Sequence, residues 1–347
     1  MEGDVAYDGH LFANKQWDYA QANQESFWGT FQAKMPHSMP QIAVKAVRVS
    51  EWPVGEASEH PPMFRKKKVR RVKRELGKVE GPFVPILTLG RHGNLLHKDR
   101  PADDAFVAMI GSAETIVRLA LQDLGPVCIP GTKIALPGCT WPDEYLSVLG
   151  KVLWERGVDV EIVLSNPGSI PGGLTPLEAN YGNGWTCVDV AAEIIKRIKR
   201  DYPDADDGDL RDKVSDNLRI CFLRQERGNE WQDGQSIGLH SKHFIIDDVA
   251  TYIGSQNLYV CDLAEWGVVI DDEEQTAKFM EEYWTPMWEC SHTGEDVDPD
   301  EVMDSLDIDR DGGDPDDLDD ETKAKMHEAE IANAGVSSSS GLYESEE

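Results

Sequence analysis

Of the nine histidines in this 347-residue chain, His240 opens a spaced set of polar residues, His240-x-Lys242-x4-Asp247-x6-Gly254-Ser255-x-Asn257. Cleaving a phosphodiester without a metal requires a nucleophile, an acid for the leaving alkoxide, and fixed donors around the nonbridging oxygens. Imidazole can be either nucleophile or acid near neutral pH, and which of the two His240 would be stays open. Lys242 and Asn257 would donate to the nonbridging oxygens, where negative charge grows in the transition state. Ser255 adds a hydroxyl donor. Asp247 would hold one ring nitrogen of a histidine and fix its tautomer, and the missing side chain at Gly254 would let backbone approach a phosphate. Six specified residues at fixed offsets match by chance at about one start position in tens of millions, so the pattern is specific.

Positioning these groups falls to a hairpin. Leu239 to Ile246 reads as a strand, whose alternation points His240 and Lys242 the same way. Asp247-Asp248 supplies turn chemistry, and Ala250 to Ile253 returns as a second strand, bringing Gly254, Ser255 and Asn257 back beside His240. Around the hairpin, strands and helices alternate. Phe83–Leu89, Val158–Leu164, Asn217–Leu223 and Trp266–Ile270 read as strands. Helical spacing runs through Ala105–Leu124 (Val107, Ile110, Ile116, Leu119, Leu121), Val188–Arg200 and Glu273–Trp288. Trp141–Arg156 has an Asp-Glu first turn and a Gly157 stop, a helix with both end signals. Ser165–Trp185, dense in Gly, Pro and Asn, predicts a long loop that could wall a substrate entrance or simply bury Trp185. The alternation predicts an α/β layer architecture.

Residues 240 to 257 resemble the HKD motif of the phospholipase D superfamily. The likeness extends to Glu265, which falls where that family carries a glutamate, and to the strand and helix succession from about Pro82 to Ser291. The resemblance implies an α/β fold with a central mixed sheet flanked by helices, and a phosphohistidine mechanism in which two such motifs face each other. On this basis His240, Lys242, Asp247, Ser255, Asn257 and Glu265 are the expected catalytic residues, with Lys242, Gly254 and Asn257 binding phosphate. No metal or cofactor is implied. The expected activity is phospholipase D-type hydrolysis of phospholipid headgroup esters, phosphatidylcholine giving phosphatidic acid and choline. A single-motif homodimeric nuclease and a noncatalytic half are the alternatives.

The chain departs from the two-motif pattern, because it contains no second His-x-Lys. Leu95-Leu-His97-Lys98-Asp99 spells the letters contiguously but lacks the spacing and a following Gly-Ser-x-Asn. The partner half-site is therefore expected from another chain or from sequence preceding Met1. Residues 1–60, rich in aromatics such as Trp17, Trp28 and Trp52, read as the end of a packed segment.

A formal charge of −30 argues against a protein that coats nucleic acid through its overall field. Residues 61–81 form a basic linker carrying eight cations in ten positions: Arg65, Lys66, Lys67, Lys68, Arg70, Arg71, Lys73 and Arg74. These could contact anionic lipid headgroups, each contributing about 1 kcal/mol near such a surface, or serve as a solvated linker. Residues 82–292 form the expected catalytic domain and 293–347 an acidic disordered tail. Within it, Asp307-x-Asp309-x-Asp311-Gly312 opens like a calcium loop, but Asp314 and Leu318 stand where an apolar residue and Glu are needed. The six cysteines are scattered without a Cys-x-x-Cys pair and read as free thiols. With neither signal peptide nor membrane-spanning run, the expected location is cytoplasmic or peripheral to a membrane, at the surface holding a phospholipid substrate.

Overall fold

The computed structural model describes residues 8–9, 11–14, 84–92, 101–129, 132–136, 139–170, 184–259 and 264–308. The basic run, most of the aromatic-rich segment 1–60, His97 and the tail beyond residue 308 lie outside them.

Seven strands form one mixed sheet in the order β1-β7-β6-β5-β2-β3-β4. They are β1 (Ile86–His92), β2 (Ile116–Leu121), β3 (Asp159–Leu164), β4 (Leu218–Phe222), β5 (Lys242–Ile246), β6 (Ala250–Gly254) and β7 (Ala264–Asp271). Strands β2, β3 and β4 run parallel, while the pairs β2/β5, β5/β6, β6/β7 and β7/β1 are antiparallel. The expected mixed α/β architecture is thus what the chain adopts.

Both faces of the sheet are covered. On one lie α1 (Pro101–Ser112), α2 (Asp143–Arg156), α3 (Cys187–Asp201) and α4 (Asp207–Asn217), enclosing a core that includes Phe106, Leu119, Leu149, Ile162, Ile194, Phe244 and Tyr252. On the other, α5 (Glu273–Phe279), a π-helical turn at Met280–Trp284 and α6 (Thr285–Ser291) lay Trp284 against Ala120, Val163, Cys221 and Ile245. The helix expected over Glu273–Trp288 is therefore continuous but changes winding. Pro286, in the first turn of α6, has no N–H to continue the α-helical ladder. On that same second face, next to β1 and β7, the Thr88 hydroxyl donates to Asp8 at 3.1 Å, and the Phe12 ring covers Gly90 so closely that a Cβ there would sit 2.8 Å from it.

Three expectations are corrected. The helix read through Ala105–Leu124 ends at Ser112, and Ile116–Leu121 is β2. Val117, Leu119 and Leu121 alternate onto the core face, a pattern that a short apolar run shares with a helix. The first strand is shifted, spanning Ile86–His92 instead of Phe83–Leu89. The acidic stretch does not leave the fold at residue 293. Asp296 pairs with Arg224, and α7 (Pro299–Ser305) buries Val302 and Met303, while Arg211 binds Asp300, Asp304 and the Ile308 carbonyl. No described helix is long and apolar enough to cross a membrane.

Candidate active site

The N-terminal end of β5 sits in the middle of the sheet, and its five residues are all buried. Lys242 shares the face of Phe244 and Ile246, with its ammonium donating to Gln122 Oε1 at 2.9 Å and to the His240 carbonyl at 3.1 Å. Burial pulls its pKa down to about 8, against the opposing pull of the Glu265 carboxylate. His240, just ahead of the strand, is exposed, and burial together with the neighbouring Lys242 charge lowers its pKa. An imidazole that is neutral near pH 7 and open to solvent can act as a nucleophile.

Glu265 lies on the antiparallel neighbour of β1, directly across from Arg91. Its carboxylate, on a side chain 4 % exposed, accepts from Arg91 Nη1 at 2.7 Å and from the Asn257 backbone N–H at 3.1 Å, with the Asn257 side-chain amide at 3.4 Å. Burial raises its pKa, and Arg91 opposes that rise. Thus two hydrogen-bonded pairs, His240 with Lys242 and Asn257 with Glu265, lie at the same end of the central strands. They set an exposed histidine beside a buried ammonium and a buried amide.

The remaining motif residues do other work. Asp247 lies at the opposite end of β5 from His240. It accepts from the backbone N–H groups of Glu114, Thr115 and Ile116 at 2.8 to 2.9 Å and from the Thr115 hydroxyl at 2.9 Å. These four donors hold its pKa down and tie the hairpin to the start of β2. The role expected for Asp247, fixing a histidine tautomer, is therefore corrected to an anchoring one, because seven residues of chain carry it to the other end of the strand. Asp247 and Asp248 both have positive φ, 51° and 59°, in a turn closed by Val249 N–H to the Ile246 carbonyl at 3.0 Å. Such a backbone is one that Asp tolerates.

Gly254 pairs with Gly267, and a Cβ on it would stand 2.0 Å from the Tyr252 hydroxyl. Its missing side chain makes room for that tyrosine, which donates to Gln256 Oε1, so the expected reason, backbone approach to a phosphate, is replaced by a packing one. Ser255 is exposed. Its hydroxyl donates to the Trp266 carbonyl and accepts the Trp266 N–H at 3.0 Å, extending the β6–β7 ladder.

Two other described histidines sit in structural settings. His243 is buried with Nε2 2.8 Å from the Thr251 hydroxyl and its ring edge-on to Tyr283; burial lowers its pKa to about 4. His292 stacks on Trp288 at 4.6 Å. From the Ser165–Trp185 segment, Trp185 packs on Trp141 and donates its indole N–H to the Pro126 carbonyl at 2.8 Å.

Sequence reading missed four residues of the site region. Gln122 follows β2 directly and accepts from Lys242. Arg91 ends an apolar strand, and Asp103 and Tyr145 hold its other amino group from α1 and α2. A lone arginine in a strand was the available signal, but its partners come from elements 12 and 54 residues away in sequence.

No family model matches the chain. Over 216 residues it is 27 % identical to phospholipase D from Streptomyces antibioticus, a match covering 59 % of this chain and 35 % of that protein. The chain thus spans about a third of the length of that curated relative. Among solved structures, NucT from Helicobacter pylori aligns over 60 % of this chain and 99 % of its own, with 19 % identity and a TM-score of 0.35. Nuc from Salmonella typhimurium, a phospholipase D family member, gives 60 % and 97 % with 18 % identity and a TM-score of 0.33. Phosphatidylserine synthase from Haemophilus influenzae gives 65 % and 44 % with 15 % identity and a TM-score of 0.36. The spaced motif in its hairpin and the sequence match together make the chain similar to the phospholipase D superfamily.

Proposed function

We propose that this chain is a phospholipase D-type phosphodiesterase carrying one half of a two-histidine site. The observation that carries the reading is that exposed His240 and buried Lys242 stand at the same end of the central strands as buried Asn257 and Glu265. In the proposed reaction an imidazole nitrogen attacks phosphorus, and the bond from phosphorus to the leaving alkoxide breaks. A second histidine protonates that alkoxide, and water then hydrolyses the phosphohistidine. Lys242 charge and the Asn257 amide would stabilise the oxygens that gain charge. The second histidine comes from another chain or from sequence outside these 347 residues, since the chain has no second His-x-Lys.

A phospholipid headgroup ester is the proposed substrate, with phosphatidylcholine giving phosphatidic acid and choline. Its support is the similarity to a phospholipase D and the formal charge of −30, which disfavours a polyanionic substrate. Such a protein would work at a membrane surface, with the basic run at Arg65–Arg74 a further candidate contact to headgroups. Choline release from vesicles, and transfer of the phosphatidyl group to added ethanol, test the assignment. Absence of both, at every pH and with a second half-site supplied, would sink it.

The count of one motif per chain favours a second reading, a homodimeric phosphodiesterase that acts on nucleic acid. Sedimentation as a strict monomer without cleavage of DNA excludes that reading.

A further inference from the structure

The proposed mechanism uses Lys242, Asn257 and Glu265 but gives no role to the arginine gripping two of them. Arg91 Nη1 donates to Glu265 Oε2 at 2.7 Å and to the Asn257 carbonyl at 3.1 Å. Nη2 donates to Asp103 Oδ1 at 2.7 Å and reaches the Tyr145 hydroxyl at 3.4 Å, while that hydroxyl donates to Asp103. The side chain is 10 % exposed, and Asp103 and Glu265 on either side are 8 % and 4 % exposed. This guanidinium bridges four elements: its own strand β1, β7 with the loop before it, and α1 and α2 behind.

We propose that Arg91 is a positioning residue of the phosphodiester site, acting through Glu265 and Asn257 to hold Lys242 charged and the amide in place. The inference rests on the phosphodiesterase reading above. The charges in the cluster balance, with Arg91 and Lys242 set against Asp103 and Glu265. The charged or titratable groups acting on Lys242 are His240, just ahead of β5, and Glu265 on β7; Gln122, directly after β2, is neutral. Glu265 in turn faces Arg91 from β1 and Tyr252 from β6. Without Arg91 the buried Glu265 takes up a proton, because nothing else offsets its desolvation as strongly. Lys242 then loses its counter-charge and gives up its own proton at lower pH. Arg91 also clamps the Asn257 carbonyl, so its loss frees the loop that carries the amide.

The test follows the Lys242 side-chain nitrogen by NMR across pH in the whole chain, with Lys242→Arg assigning the signal. Arg91→Gln, which keeps most of the stem, is expected to lower the Lys242 midpoint by about one pH unit. Arg91→Lys restores the midpoint. In a Glu265→Gln background, Arg91→Gln produces no further shift. With bis(p-nitrophenyl) phosphate, Arg91→Gln is expected to lower kcat about tenfold while KM holds. An unmoved midpoint in a folded Arg91→Gln protein overturns the inference, as does a drop that persists in the Glu265→Gln background. If Arg91→Gln does not fold, failure of Glu265→Gln to lower the midpoint overturns it as well. If the midpoints move as expected while the parent chain with its second half-site cleaves no diester, the coupling of Arg91 to Lys242 stands and the phosphodiesterase reading fails.

Discussion

At the scale of single residues, exposure and burial divide the motif into groups that react and groups that hold. His240 is exposed, so His240→Ala is expected to leave the melting temperature unchanged while lowering the rate at least on the order of a thousandfold, because water cannot replace a nucleophile or a positioned acid. Calorimetry and turnover on the same preparation check this. Lys242 must be charged to stabilise the transition state, and its pKa stands at about 8, so activity should fall as pH rises through that value. A pH–rate profile without an alkaline limb near there would contradict the role. His243 gives a stability effect of the opposite direction. Its folded pKa of about 4 lies below the ordinary 6.5, so the unfolded chain takes up a proton that the folded chain refuses. Its contribution is whole above pH 6.5 and is lost as pH falls toward 4, about 3 kcal/mol in all. Urea midpoints for the parent chain and His243→Gln should converge as pH falls through that window.

At the scale of elements, the hairpin of β5 and β6 is fastened at both ends by residues of the motif. Asp247→Ala would leave three backbone N–H groups without their carboxylate, at about 3 kcal/mol, and the rate per folded molecule should stay at the parent value. A rate loss exceeding the loss of folded protein would return Asp247 to a catalytic part. At the other end, Gly254→Ala pushes a methyl into the Tyr252 hydroxyl and toward Gly267, so about 2 kcal/mol of destabilisation is expected by chemical denaturation. Neither function was visible in the spacing. Asp and Gly recur in motifs for turn chemistry as often as for catalysis, and only the partners at Glu114–Ile116 and Tyr252 separate the two. The helix over Asp143–Arg156 was legible because its stop is local: Gly157 sits at φ 62° and returns its N–H to Leu153.

At the scale of the whole molecule, the C-terminal acidic stretch is part of the domain as far as Ile308. A chain ending at residue 293 loses the burial of Val302, Met303 and Ile308 and strips Arg211 of its partners, so its melting temperature should fall by about 10 °C relative to a chain ending at 308. Equal melting of the two truncations would show that α7 adds nothing.

The amino-acid sequence by itself determined the chemistry available, because His240, Lys242 and Asn257 are set by type and spacing, although the strand expected over Leu239–Ile246 begins only at Lys242 and leaves His240 ahead of it. It also determined most strands and the helices with local end signals, since caps, glycine stops and alternating burial act over a few residues. Which groups stand beside Lys242 was decided by the tertiary structure alone. Gln122, Arg91, Asp103 and Tyr145 reach the site through strand pairing and helix packing between segments far apart in the chain, and desolvation, the largest influence on both Lys242 and Glu265, exists only once the sheet is covered on both faces.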